Sequence, residues 1–438
     1  MKNRWWAALA VLGVAGIAAA TRSRPPPPVD AKGATPAPSA MEIRVAPSAS
    51  APAAAPTVDL SAITDGYDAT PYPHRTTTGS IARGNLDGRV DSLNGWLTRG
   101  GGASDTMRKP LLDALLSRTQ YYGTFSDFDR ALALVKPPAK DPTAADLDLW
   151  AALSGSLHEF QSALDALAAA EKLDKRPRDA QRAVIQLALG RDLPAVLAMR
   201  EKGAAALPTF ESFTGLAAVQ AALGKFDAAD ASYRKALAIY RDVAPFPVAW
   251  VDFQRGMFWA ETAGRPDRAE PLYLEAVTRL PGYVVATVHL SEIEAENGKR
   301  DSAIERLTSV LDKTEDPEPA AVLAKLLAES KPADAAHYAD VAKRGYEQLL
   351  VKHRKAFLDH AAEFFASAGK DPKRALALAE ENLKLRPTDR AYLLTIRAAL
   401  AAKDTKRACA LVKEAGEGRP SVPLHDARES VAKTCPAT

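Results

Sequence analysis

Histidine and glutamate side chains that could bind a metal ion are grouped in one stretch of the sequence. His353, His360 and Glu363 would lie near one helical face if the helix were continuous. Imidazole and carboxylate groups are ligands for zinc. The sequence predicts a helix boundary between the two histidines, however, and exposed histidines are common. We therefore expect these side chains to be solvated and predict no metal site.

Two other short motifs resemble binding loops only in part. GSIARGN at 79–85 has two glycines at phosphate-loop spacing but lacks the Lys-Ser/Thr pair that contacts phosphate and magnesium, so we interpret it as a plain loop. DGYDAT at 65–70 lacks the alternating ligands of a calcium loop. No serine or cysteine stands in a recognised nucleophile context. We predict that the chain is not an enzyme and needs no cofactor.

The composition excludes several classes of protein. The 438 residues carry 57 basic and 54 acidic side chains, a formal net charge of +3, which argues against a nucleic-acid-binding protein. Two cysteines exclude a disulfide-dense scaffold and a multi-cysteine zinc or iron–sulfur site. With 47% hydrophobic and only 7% aromatic residues, the chain can build a large core from small side chains.

The amino terminus has the features of an export signal. Residues 1–20 combine a basic start, an apolar run and small residues at the end, which predicts a signal peptide. Retention as a membrane anchor is the alternative, because arginines follow the small residues at once. We expect a periplasmic or cell-envelope protein, or alternatively one anchored in the inner membrane.

A proline-rich spacer and a transition segment follow. Residues 21–60 are rich in proline and alanine with few large apolar groups, which predicts a disordered linker. Residues 61–101 form a transition segment with one short helix at 80–97, where apolar residues recur at helical spacing. The repeated part of the chain begins only after this segment.

An internal repeat organises residues 102–418. Three segments, GKFDAADASYRKALAIY at 224–240, GRPDRAEPLYLEAVTRLP at 264–281 and GKRDSAIERLTSVL at 298–311, share a helix-ending glycine and an alanine five residues later. The equivalent alanines recur at intervals of 32 to 40 residues, on average about 34.6. They are Ala131, Ala163, Ala195, Ala229, Ala269, Ala303, Ala335, Ala375 and Ala408.

This pattern resembles the tetratricopeptide repeat (TPR) family, whose helix-turn-helix unit has 34 residues. The resemblance implies an all-α, right-handed α-solenoid of about nine units at 102–418, with a capping helix and tail at 419–438. We predict that the two 40-residue intervals contain extended second helices, at 226–243 and 333–353. His158 falls in the turn between two repeat helices and is interpreted as a surface residue. Eight aromatic residues are interpreted as packing between helices: Phe128, Phe160, Phe226, Tyr233, Phe253, Tyr273, Phe365 and Tyr392.

In proteins of this family the first helix of each unit lines a concave groove that receives a partner segment. The resemblance therefore implies a non-catalytic protein-interaction scaffold of the cell envelope, with no nucleic-acid partner. A membrane-anchored, cytoplasm-facing adaptor is the alternative; a peptidoglycan- or carbohydrate-associated protein has no motif in its favour. We expect an acidic groove and a partner segment that is basic and partly apolar. The groove candidates are Gln254, Phe258, Glu261, Glu292, Glu296, Asp359 and Glu363, flanked by Glu211, Thr214, Arg390 and Arg397.

The two cysteines fall at the end of the chain. Cys409 lies early in the last second helix and Cys435 just beyond the expected cap. Export to an oxidising compartment would favour a disulfide that fastens the cap. Two free thiols remain the alternative.

Overall fold

The computed structural model describes residues 58–99, 104–135 and 141–435. The predicted signal peptide at 1–20 and nearly all of the predicted linker at 21–60 lie outside the described residues. No helix among the described residues combines the length and apolar character needed to cross a membrane.

Every regular element in the described ranges is helical, and the α-helices follow one another in antiparallel pairs. In chain order they are α1 (Gly79–Thr98), α2 (Ser104–Tyr122), α3 (Ser126–Val135), α4 (Ala144–Ser156), α5 (Phe160–Asp174), α6 (Asp179–Leu189), α7 (Leu193–Ala206), α8 (Phe210–Ala222), α9 (Phe226–Ile239), α10 (Pro245–Met257), α11 (Pro266–Arg279), α12 (Val284–Glu296), α13 (Arg300–Leu311), α14 (Glu318–Leu327), α15 (Pro332–Lys352), α16 (Leu358–Ala366), α17 (Pro372–Leu385), α18 (Asp389–Ala401), α19 (Thr405–Ala415) and α20 (Val422–Ala432).

Helices α2 to α19 form nine successive pairs within the described chain, here called units 1 to 9, and α20 packs on the last pair. A short turn joins the two helices of each unit. In eight of these turns at least one residue has a positive φ, the left-handed conformation that ends a helix. The turn of unit 7, between α14 and α15, has no such residue. The predicted all-α solenoid is confirmed.

The marker alanines lie where second helices cross first helices. Eight of them are buried, because a methyl group lets the two backbones approach closely. Ala195 is the exception: it is exposed, and Val196 takes the buried position instead. The repeat register inferred from the sequence is therefore wrong by one residue in unit 3.

The two longest intervals have different causes. Helix α15 has 21 residues, so the predicted extension at 333–353 is confirmed. Helix α9 ends at Ile239, so the predicted extension to residue 243 is wrong. The extra length lies in the loop before α10 and in a π-helical segment, Phe258–Thr262, that prolongs α10.

The solenoid winds back onto itself. The turn inside each of units 1 to 4 packs against the chain that follows the unit five places later, and the turn of unit 5 packs against the start of α20. At the turn of unit 1 the Ser126 hydroxyl donates to Glu315 over 2.7 Å, and at the turn of unit 2 His158 Nδ1 lies 3.1 Å from the Lys355 carbonyl oxygen. The equivalent neighbours in the next three units are Gly190 with Thr388, Gly224 with Pro420 and Gly264 with Val422. The first helices therefore face a narrow, enclosed space.

This winding buries residues that a single unit would expose. His158 is only 3% exposed, so its interpretation as a surface residue is wrong. Burial lowers the pKa of its imidazole to about 3. At Gly224, φ is 73°, and an added Cβ would lie 2.6 Å from the Cβ of Pro420. Glycine is thus required there both by the backbone and by the neighbouring turn of the solenoid.

Residues 58–78, here called the strap, run along the outside of units 4 and 5. The Tyr67 hydroxyl donates to the carbonyl oxygen of Arg268 over 2.8 Å, and the Tyr72 hydroxyl donates to that of Tyr240 over 2.9 Å. Helix α1 then begins at Gly79, so the GSIARGN motif is helical and its interpretation as a loop is wrong. The strap therefore holds the first part of the transition segment against the repeats.

The carboxyl-terminal cap is closed covalently. Helix α20 lies within the predicted capping segment, with Ser421 as its amino-terminal cap. Cys409 in α19 and Cys435 beyond α20 form a disulfide, with their Cα atoms 5.8 Å apart. The disulfide considered from the sequence is therefore confirmed.

Candidate functional site

The predicted groove residues occupy three different environments. Phe258 is 5% exposed, and its ring stacks on Phe226 and Tyr233, so it belongs to the hydrophobic core and does not line a groove. Gln254 is partly buried on the same helix, and Glu296 is exposed at the end of α12. The other charged candidates, Glu261, Glu292, Asp359 and Glu363, come together.

The charged residues of units 5 to 9 form what we call the inner charged cluster. One or more members come from the first helix of each unit, so five successive units contribute. The cluster comprises Glu261, His289, Glu292, Glu318, Lys325, Asp359, His360, Glu363, Arg386, Arg390 and Arg397.

Asp359 is the most strongly paired member. Its Oδ2 accepts hydrogen bonds from Arg386 over 2.5 Å and from Arg390 over 2.8 Å, and the residue is 1% exposed. Burial alone would raise the pKa of this carboxyl, but His360 and the two guanidinium groups together hold it well below its usual range. Asp359 therefore stays ionised and joins α16 to the start of α18.

Glu261 and Glu363 share the guanidinium of Arg390 less closely. The nearest atoms of Arg390 and Glu363 are 3.4 Å apart. Burial raises the pKa of Glu261 to about 8 and that of Glu363 to about 7, with Arg390 opposing both shifts. Burial also lowers the pKa of His289 to about 3, so its imidazole is neutral near pH 7. Near pH 7, Glu261 and part of Glu363 are therefore protonated, so this face carries less negative charge than the sequence suggests.

The sequence does not indicate the contribution of unit 7. Glu318 at the start of α14 is 4% exposed, and its Oε1 lies 3.7 Å from His360 Nδ1. One ligand atom from each of Glu318, His360 and Glu363 lies within 4.8 Å of the other two. His353 lies apart from them, 3.2 Å from Asp129 of unit 1. Both histidines are only 7% exposed, so the expectation that they are solvated is wrong. The expected helix boundary between the two histidines is confirmed, since α15 ends at Lys352 and α16 begins at Leu358.

A cavity lined in part by the groove candidate Glu211 lies between helices of units 1 and 4. It has a volume of about 660 Å³ and lies between α1, α2, the start of α8 and the loop from α9 to α10. We call it the large cavity, and its walls combine aromatic rings with ionic side chains. The residues that matter below are Arg89, Asp113, Phe210, Glu211, Tyr240, Arg241, Asp242 and Phe246. Glu211 is a groove candidate from the sequence; the other seven are not.

The helix pairs, their turns and the shared inner face define a helical-repeat solenoid. Residues 261–326, which run from the end of unit 5 into unit 7, match the family described as Tetratricopeptide repeat. The resemblance predicted from the sequence is thereby confirmed. No curated protein sequence shows significant similarity to this chain.

Solved structures of helical-repeat proteins are similar to this chain at low sequence identity. The crystal structure of the APC/C hetero-tetramer Cut9-Hcn1 matches with 14% identity and a TM-score of 0.43, covering 79% of this chain and 66% of that one. Yeast Tom70 matches with 16% identity and a TM-score of 0.40, covering 81% and 80%. A tetratricopeptide repeat protein from Parabacteroides merdae matches with 16% identity and a TM-score of 0.33, covering 66% and 98%. Similarity at this level carries no information about partners.

Proposed function

We propose that this chain is a non-catalytic protein-interaction scaffold that binds a partner segment in the large cavity. The observation that carries the proposal is the cavity itself. Its volume of about 660 Å³ falls in the range of ligand sites, and first helices of different units contribute to its walls. Repeat solenoids bind partners on surfaces shared between units, so the position fits the class of fold.

The composition of the cavity walls favours a partner segment with apolar and basic side chains. Phe210, Tyr240 and Phe246 provide aromatic surface. Asp113 is already paired with Lys109 over 2.7 Å, and Arg241 donates to the carbonyl oxygen of Tyr240. Glu211 and Asp242 remain as exposed carboxylates of the walls, which supports the basic partner that the sequence predicts.

The inner charged cluster is less suited to a basic partner than the sequence suggests. Its carboxylates already face Arg386, Arg390 and Arg397 of the same chain. A partner cation would have to displace these arginines. We therefore assign partner binding to the Glu211 end of the predicted groove.

A charge-reversal experiment tests this assignment. Glu211→Lys with Asp242→Lys changes two exposed carboxylates of the cavity, whereas Asp301→Lys with Glu305→Lys changes two exposed carboxylates on the outer helix α13. Binding of a fluorescein-labelled peptide of alternating arginine and leucine, measured by anisotropy, should weaken at least tenfold in the first variant only. Equal affinity in all three proteins, or equal loss in both variants, would place the interface elsewhere.

We also propose that the chain is exported and acts in the periplasm or cell envelope. The disulfide between Cys409 and Cys435 supports this location, because such bonds persist in oxidising compartments. A cytoplasm-facing anchored adaptor would keep the two thiols reduced. Alkylation of protein trapped from its native cell, before any exposure to air, distinguishes the two: unreactive cysteines support export, and two alkylated cysteines would exclude it.

A further inference from the structure

A small, partly open cavity inside the inner charged cluster is separate from the large cavity. It has a volume of about 50 Å³ and lies between α12, α14, α15 and α16. Three ionisable side chains of its wall, Glu318, His360 and Glu363, present one nitrogen and two carboxylate groups to a common space. We propose that this is a binding site for a divalent transition-metal ion, with zinc as the best fit.

The distances suit a metal ion of this size. Zinc bonds to histidine nitrogen and carboxylate oxygen are about 2.0–2.2 Å long, so neighbouring ligand atoms of a tetrahedral site lie about 3.4 Å apart. Glu318 Oε1 and His360 Nδ1 are already 3.7 Å apart, and all three ligand atoms fall within 4.8 Å of one another. Rotation of the carboxylates would close the remaining gap, with a water molecule as the fourth ligand.

Glu318 supplies a second, independent observation. The side chain is 4% exposed, and its Oε2 accepts no hydrogen bond from the part of the chain that the structure describes. A buried carboxylate oxygen without a donor is costly unless a proton or a cation occupies the space. The packing of α14 against α16 thus holds this oxygen ready for a ligand.

Asp359 would orient the histidine. Its Oδ1 is buried without a hydrogen-bond donor and lies 3.7 Å from His360 Nε2. If Nδ1 binds the metal, the Nε2–H group faces this carboxylate, which is the arrangement that fixes the ring in many zinc sites. The mixed nitrogen and oxygen ligands favour zinc over calcium or magnesium, which prefer oxygen ligands alone.

A cation entering the cavity would replace protons on two of its glutamates, because burial raises the pKa of Glu318 to about 8 and that of Glu363 to about 7. Glu292 and Lys325 also line it, and their nearest atoms are 3.7 Å apart. The wall therefore contains three glutamates against one lysine and one histidine. Arg390 pairs with Glu363 over 3.4 Å and does not line the cavity, although its charge also acts on Glu318. The inference does not rest on the proposed partner binding, which involves other units.

Equilibrium dialysis of the full chain, with its disulfide intact, against zinc, calcium and magnesium chloride tests the site. We expect one tightly bound zinc ion, with affinity reduced at least tenfold by His360→Asn and by Glu318→Gln. His425→Asn is the matched control, because His425 faces Glu429 at a similar distance, 3.9 Å, but on an exposed surface. No zinc bound, zinc lost on changing His425, or calcium bound in preference to zinc would overturn the proposal.

A measurement on the unaltered protein covers the case in which the variants misfold. X-ray absorption of the zinc-loaded chain should show one imidazole and otherwise oxygen ligands, as Glu318, His360 and Glu363 require. Two or more imidazoles, or any sulfur ligand, would overturn the assignment.

Discussion

Asp359→Asn should destabilise the carboxyl-terminal units strongly. The carboxylate is 1% exposed and accepts hydrogen bonds from Arg386, itself 4% exposed, and from Arg390. An amide of the same shape removes the negative charge, which leaves the buried guanidinium of Arg386 without its counter-ion and that of Arg390 with only the longer contact to Glu363. Removing one partner of a buried ion pair costs about 3–5 kcal/mol. We expect the free energy of unfolding of units 8 and 9 to fall by an amount in that range.

The chain offers a matched control for this variant. Glu381→Gln breaks the ion pair with Arg354, which also joins residues 27 apart. The Arg354 guanidinium donates three hydrogen bonds to this carboxylate, but the two side chains are 51% and 40% exposed. Exposed pairs contribute about 0–1 kcal/mol, since water solvates both partners after the change.

Urea denaturation followed by circular dichroism, combined with hydrogen exchange of α16 to α18, measures both effects. Exchange is needed because a repeat array can lose its end units before the rest. The reasoning would be refuted if Asp359→Asn lowered the free energy of unfolding no more than Glu381→Gln does. That result would mean that water reaches Arg386 and that the inner face is open.

Three further predictions follow from single features. Cys409→Ser should free α20, at a cost of about 3–4 kcal/mol for a loop of this length, seen as fast hydrogen exchange in α20 with the earlier units unchanged. Burial raises the pKa of Glu318 to about 8 from an ordinary 4.5, so the folded state holds a proton there that the unfolded state releases. Stability should thus fall as pH rises from about 5 to above 8, and Glu318→Gln in chelator-treated buffer should flatten this slope of the melting temperature. Tyr72→Ala removes a 6%-exposed ring and its hydrogen bond to Tyr240, so limited proteolysis should cut the strap early; unchanged resistance would show that other contacts hold it.

The local parts of this fold can be predicted from the sequence because they depend on neighbouring residues. Helix pairs follow from apolar spacing and from a turn residue that ends the first helix, as at Gly224. The disulfide of the cap follows from the position of one cysteine in the last pair and of the other just beyond the expected cap.

The winding of the solenoid cannot be predicted in this way. Contacts between the turn of unit 2 and Lys355 join residues 197 apart, and they depend on small rotations added over five units. A single insertion such as the π-helical segment Phe258–Thr262 changes that sum. For this reason His158 is buried although its own unit would leave it exposed, and Phe258 turns into the core although its position in the repeat indicates the groove.

The same winding explains why the charges of the inner face were only half predicted. The sequence shows glutamates at the groove positions of units 5, 6 and 8, and it shows Arg390 and Arg397 in unit 9, but it does not show that these sets meet. In an open groove the glutamates would be ionised and available to bind a basic partner. In the enclosed solenoid Arg390 is drawn towards Asp359 and Glu363 of the neighbouring unit, and burial leaves Glu261 and Glu318 with pKa values near 8. Charge reversal at Glu261 and Glu292, which an open groove would suggest as the test of binding, would therefore bury an ammonium beside arginines and report on folding. Only exposed carboxylates such as Glu211 can separate partner binding from stability.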